Sequence, residues 1–155
     1  MKLIRAGRDA CVFQMGRQEK ALLVELLKLY PLVPVACHRH RVSRKATDTE
    51  ETQRLLAEAL TEQRRRNREQ VLALLDAPER FQPHDSGFRF TLSPAQVEWL
   101  LQVLNDVRVG CWIQLGSPDP KPRESWNIDE ARLPVLRAME AAGFFEMILL
   151  GALDR

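Results

Sequence analysis

Between Val35 and Lys45 the chain reads VACHRHRVSRK, and most of its candidate chemistry is concentrated there. Thiolate and imidazole are zinc ligands, which makes Cys37, His38 and His40 the candidates for a metal site. A structural zinc site needs four protein donors, commonly from two short-spaced pairs, and the sequence offers no second pair. His84 is the remaining histidine, and Cys11 and Cys111 fall in strand-like and helix-like stretches. The expectation is therefore no bound metal and no cofactor, with Cys37 a small buried hydrophobe and the histidines hydrogen-bonding locally. Arg39, Arg41, Arg44 and Lys45 have the chemistry to hold phosphates. A nucleic-acid footprint normally accompanies strong basicity of the whole domain, and the formal net charge is only +2.

A second group is Asn105, Asp106 and Arg108. Asn and Asp are poor helix formers, so their presence inside a helical stretch implies a specific hydrogen-bonding task. They could contact a ligand or partner. The structural alternative is that Asn105 or Asp106 ties down the long loop that contains the arginines, and this is the favoured reading because buried charges are usually paired within a fold. Signatures of catalysis are missing: there is no glycine-rich phosphate loop, GxSxG, HExxH or CxxC. The chain reads as a non-enzyme.

These residues need elements to hold them. Met1–Ala6 and Ala10–Met15 are strand-like and are separated by Gly7-Arg8-Asp9, which suits a hairpin. Arg17–Leu29 has helical spacing in Ala21, Leu22, Leu26 and Leu29, and Pro31 ends it. Residues 31–47 show no period, a long connection for a compact domain. Thr47–Asp76 predicts a helix capped at Thr47 or Asp48, about 45 Å long, with apolar stripes at its ends and TEQRRRNREQ facing solvent or a partner between them. Within that polar stretch Glu62 and Arg66 are spaced to pair. Phe88–Leu92 alternates like a strand. Ser93-Pro94 opens the clearest helix, with Val97, Leu100, Leu101, Leu104, Val107, Cys111 and Leu115 along one apolar face and Gly116-Ser117-Pro118 closing it. Trp112 is placed on the buried side and Trp99 nearer the rim. Leu133–Leu153 predicts the last helix. The sum over residues 1–155 is one α+β domain, predominantly α, with about four main helices and a small three-stranded antiparallel sheet.

Composition agrees with a globular domain: 155 residues, 45% hydrophobic and 28% charged. Residues 1–78 carry a net +5 and residues 79–155 a net −3. Three cysteines without framework spacing point to a reducing compartment. With no secretion-type apolar region at the N-terminus and no run long enough to span a bilayer, the expectation is a soluble cytoplasmic protein without membrane contact.

The segments YPLVP (Tyr30–Pro34), QRLLAEALTEQRRRNREQVLALL, LSPAQVEWLLQVLNDVRVGCWIQLG and GFFEMILLGAL together resemble an uncharacterised bacterial family known only as a domain of unknown function. The LND-x-R motif, Leu104, Asn105, Asp106 and Arg108 followed by Gly110, is the most specific part of the resemblance. It implies a helical cytoplasmic protein with no assigned activity, cofactor or catalytic residue, and a link to regulated proteolysis. The functional expectation is a helical protein-interaction module, with a second copy of itself among the expected partners. Nucleic-acid or polyanion binding through Arg39–Lys45 is the alternative, although nucleic acid is not among the expected partners, and a metal-dependent or cysteine-based enzyme is the third.

Overall fold

A computed structural model describes residues 1–34, 50–85, 87–118, 126 and 128–154. The chain begins with a hairpin of β1 (Lys2–Ala6) and β2 (Cys11–Gly16), followed by α1 (Arg17–Lys28). Next comes the long helix α2 (Glu50–Leu75), and then β3 (Phe81–His84) and β4 (Gly87–Leu92). Helices α3 (Pro94–Gln114) and α4 (Leu133–Leu153) complete the fold. Single 3-10 turns precede β3 at Pro78–Arg80 and α4 at Glu130–Arg132.

The sheet is antiparallel with order β1-β2-β4-β3, so it has four strands rather than the expected three. The additional strand, β3, reads FQPH, and its Pro83 has no amide to donate to a ladder. An edge strand tolerates that loss, and β3 is an edge, with Pro83 opposite Phe88. Aromatic packing compensates: the Phe81 ring stacks on Phe90 with centroids 4.8 Å apart and planes 5° from parallel. Lys20 of α1 lies over Phe81 and Phe88, 4.7 and 4.1 Å from their ring centres. Asp85, at φ 45°, makes the tight reversal into β4.

The sheet has two unlike faces. Cys11, Phe13 and Met15 on β2 and Phe90 and Leu92 on β4 point into the core and are buried. Strand alternation places Lys2, Gln14, Arg89 and Gln82 on the other side. The helices close over the inner face. On α3, Val97, Leu100, Val103, Leu104, Val107 and Cys111 are buried, facing Ala142, Phe145 and Leu149 of α4. Helix α4 also runs against β1.

Both ends of α3 form as their residues require. Ser93 accepts from the Gln96 amide at 3.2 Å while the Gln96 side chain accepts from the Ser93 amide at 2.9 Å, a complete capping box. At the other end Gly116 adopts φ 89°, and the amides of Gly116 and Ser117 bond the carbonyls of Ile113 and Trp112 at 2.9 and 3.0 Å. This is a Schellman termination, which uses the left-handed conformation glycine adopts freely. The tryptophans reverse their expected places: Trp99 is buried, and Trp112 is 37% exposed, donating to the Pro118 carbonyl at 3.0 Å. Cys11 and Cys111 are buried free thiols. Among the described residues no helix is long and apolar enough to cross a membrane.

Gly87 fixes how β4 meets β2. A Cβ there would stand 2.3 Å from the Met15 carbonyl oxygen, and that contact is with backbone, which cannot rotate away. Gly87→Ala is expected to destabilise the fold by about 2–3 kcal/mol, as overpacking does. Urea unfolding would check this; an unchanged midpoint would mean that the ladder yields at little cost.

Candidate functional site

Asp106 sits on α3 one turn before Gly110, and the two residues act together. A Cβ at Gly110 would lie 2.6 Å from both Cβ and Cγ of Leu32, so only glycine lets the segment after Tyr30 press onto the helix. Asp106 then receives that segment. Its Oδ1 accepts from the amides of Leu32 at 2.6 Å and Val33 at 3.1 Å. Arg64 of α2 comes from the opposite side, donating to the Val33 carbonyl at 2.7 Å and lying 3.5 Å from Asp106 Oδ2. Nearby, buried Asn67 donates to the Tyr30 hydroxyl at 3.3 Å, and burial pushes the Tyr30 phenol above its ordinary pKa. One carboxylate thus joins three pieces of chain: the 30–33 segment, α2 and α3.

Arg108 reaches the other way, toward α4, with Asn105 between it and the Asp106 side. Arg108 donates to Asn105 Oδ1 at 2.8 Å and pairs with Glu146 of α4 at 2.9 Å. The second Glu146 oxygen is buried without a partner among the described residues. Burial therefore raises the Glu146 pKa, with Arg108 pulling in the opposite direction. The LND-x-R residues split between two ties, one to the 30–33 segment and one to α4.

Above the Asp106 tie a groove of about 700 Å³ opens between α2 and α3. Val33, Leu60, Val109, Trp112 and Ile113 give it apolar walls; Arg64, Asn105 and Asp106 are among its polar residues. Gln63 bonds Gln102 across it at 3.2 Å. Among the described residues no nucleophile paired with a base lines it. The polar middle of α2 is self-compensated: Arg65 and Arg66 hydrogen-bond Glu62 and hold its carboxyl down to about 2. Arg39, Arg41, Arg44, Cys37, His38 and His40 lie outside the described residues. Among those described, no cluster of three or more potential metal ligands forms.

A surface the sequence did not single out lies on the outside of α4. Phe144, Met147 and Leu150 are 42, 64 and 51% exposed. Because α4 is apolar on every side, hydrophobic periodicity could not separate its outward stripe from its inward one. The available signal was the run of charged residues at its margins, Arg137, Glu140 and Asp154. Compared with known proteins, the chain matches no family model, no curated protein and no solved structure.

Asp106→Ala strands two amides and removes one ion pair of Arg64. A loss of about 3 kcal/mol is expected, read as a lower urea midpoint with unchanged slope. Asp106→Asn keeps one accepting oxygen and should lose less. For Glu146 the folded-state pKa lies above the unfolded one, so the native state binds the proton more tightly. Its contribution to stability is greatest below the ordinary value of about 4.5 and declines as pH rises past it. Glu146→Gln should flatten that decline, as seen by comparing unfolding midpoints at mildly acid and neutral pH for both proteins. A parallel decline in the two would refute the assignment.

Proposed function

We propose that this chain is a non-enzymatic protein-interaction module that pairs with a second copy of itself through the outer face of α4. One observation carries the reading. Arg137, Glu140, Phe144, Met147, Gly151 and Asp154 follow one another in alternating steps of three and four, the spacing of a coiled-coil seam. All but Gly151, which is half-buried, are exposed. A helix that is apolar all round normally has both sides covered.

The seam is self-complementary when two copies run antiparallel about a two-fold axis. Phe144 of each protomer then meets the partner's Met147, and Glu140 crosses the partner's Gly151, where a Cβ would find nothing within 4 Å. Arg137 meets the partner's Asp154 at both ends. A two-fold contact of this kind uses one patch twice and closes on itself. A single helix pair is small among specific interfaces, so the association is reversible and concentration-dependent.

The same proposal covers the wider setting: a bacterial cytoplasmic protein, akin to the family of unknown function with the LND-x-R helix and linked to regulated proteolysis. The alternative of polyanion binding through Arg39–Lys45 concerns residues outside those described.

Sedimentation velocity from low micromolar to several hundred micromolar should show a monomer–dimer equilibrium. Met147→Glu should abolish it without changing the far-UV spectrum, since the residue points outward. Arg137→Asp or Asp154→Arg alone should weaken the dimer, and the double exchange should restore it. A monomer at every concentration overturns the reading, and failure of the double exchange overturns the antiparallel register.

A further inference from the structure

The outer face of the sheet carries charge of one sign. Its register aligns Lys2, Gln14, Arg89 and Gln82 in a continuous row across all four strands. A second row, Arg5, Val12 and Thr91, runs beside it on the same face. Lys2, Arg5, Gln82, Arg89 and Thr91 are exposed. No aspartate or glutamate occurs in any of the four strands. Acids border the face rather than stand in it: Asp9 between β1 and β2, Asp85 between β3 and β4, 3.1 Å from His84 Nε2, and Glu19 of α1, which lines one concavity with Lys2 and Gln14 and is paired with the Met1 ammonium. His84 Nε2 also lies 3.2 Å from the Arg89 guanidinium.

An ordinary solvated face intersperses both signs, which keeps its local field small. On α2 that rule holds: Arg54, Arg65 and Arg66 pair with Glu58, Glu62 and Glu69. The sheet departs from it.

We propose that the open sheet face is a binding site for single-stranded nucleic acid, held through its phosphate backbone. Strands are about 4.8 Å apart, so Lys2 and Arg89, two strands apart, stand roughly 10 Å from one another. The three cations thus spread over a patch that spans a few nucleotides. Gln14, Gln82 and Thr91 lie among them as neutral hydrogen-bonding groups of the kind that contact phosphate and sugar oxygens. The outer rows contain no aromatic side chain on which bases could stack, so the binding is independent of sequence. Aliphatic side chains are few there, half-buried Val12 in the second row and exposed Ile4 at the β1 bulge between Lys2 and Arg5, fewer than a membrane surface would engage. The site is separate from the α4 seam and does not depend on self-association.

Fluorescence anisotropy with labelled oligouridylate and oligothymidylate tests this, the two probes distinguishing RNA from DNA. With three phosphates neutralised and about −0.7 per phosphate on a single strand, log K against log salt should fall with a slope of about −2. Arg89→Ala and Arg5→Ala should each weaken binding several-fold and reduce the slope by about 0.7. Arg66→Ala, on the compensated face of α2, should leave both unchanged. Binding that survives the combined loss of Lys2, Arg5 and Arg89 overturns the proposal, as does no binding at low salt. Tighter association with polyglutamate or with anionic phosphatidylserine vesicles than with either oligonucleotide would also overturn it, in favour of an acidic protein or a lipid surface.

Discussion

The contact between the Asp106 carboxylate and the amides of Leu32 and Val33 is the constraint on which the helical part of the molecule depends. An extended stretch leaving a helix carries amides that no ladder satisfies, and burying them unpaired costs more than a typical hydrogen bond returns. Here a carboxylate accepts two of them, and Arg64 satisfies the carbonyl between its own helix and that stretch. Gly110 makes the approach possible by leaving room for Leu32. The tie therefore sets the positions of α1's exit, of α2 and of α3 relative to one another, and the groove is the space left above it.

Helix α3 is the element that every other layer uses. Its inner side completes the core against the sheet and α4, its Asp106 edge holds the 30–33 segment, and its Arg108 edge reaches Glu146. With that centre fixed, the remaining surfaces are free to differ. Helix α4 turns an apolar seam outward, α2 shows a charge-balanced face, and the sheet shows a cationic one. These surfaces lie on regular elements at the periphery, each supported from behind by buried Phe, Leu or Val.

Much of this was legible in the sequence where local chemistry decides the outcome. Ser93-Pro94 and Gly116 mark α3 because a hydroxyl cap, a proline at the first turn and a left-handed glycine each satisfy helix ends in one way. The bounds of α4 were readable too, as was the pairing of Glu62 with Arg66. What escaped was set by tertiary context. β3 contains a proline and little alternation, and it forms because Phe90 offers Phe81 a ring to stack on. The tryptophans were misplaced because both lie close to the buried face of α3, and periodicity alone does not say which is covered. The structural role of Asp106 could be anticipated, but not that its cationic neighbour would be Arg64, more than forty residues earlier and on another helix. The outward side of α4 was hidden by its own uniform hydrophobicity.

The length of α2 has a mechanical consequence. Between Glu51 and Thr61 none of its residues is buried, whereas Asn67, Val71 and Leu74 are. Arg64 sits just before the anchored part, some 20 Å from the helix start at 1.5 Å per residue. A rigid rod clamped at one end turns a sideways push at its tip into torque at the clamp. Gln63, bonded to Gln102, and Arg64, gripping Val33, are the residues that take up that torque, which makes α2 a lever whose fulcrum is the Asp106 joint.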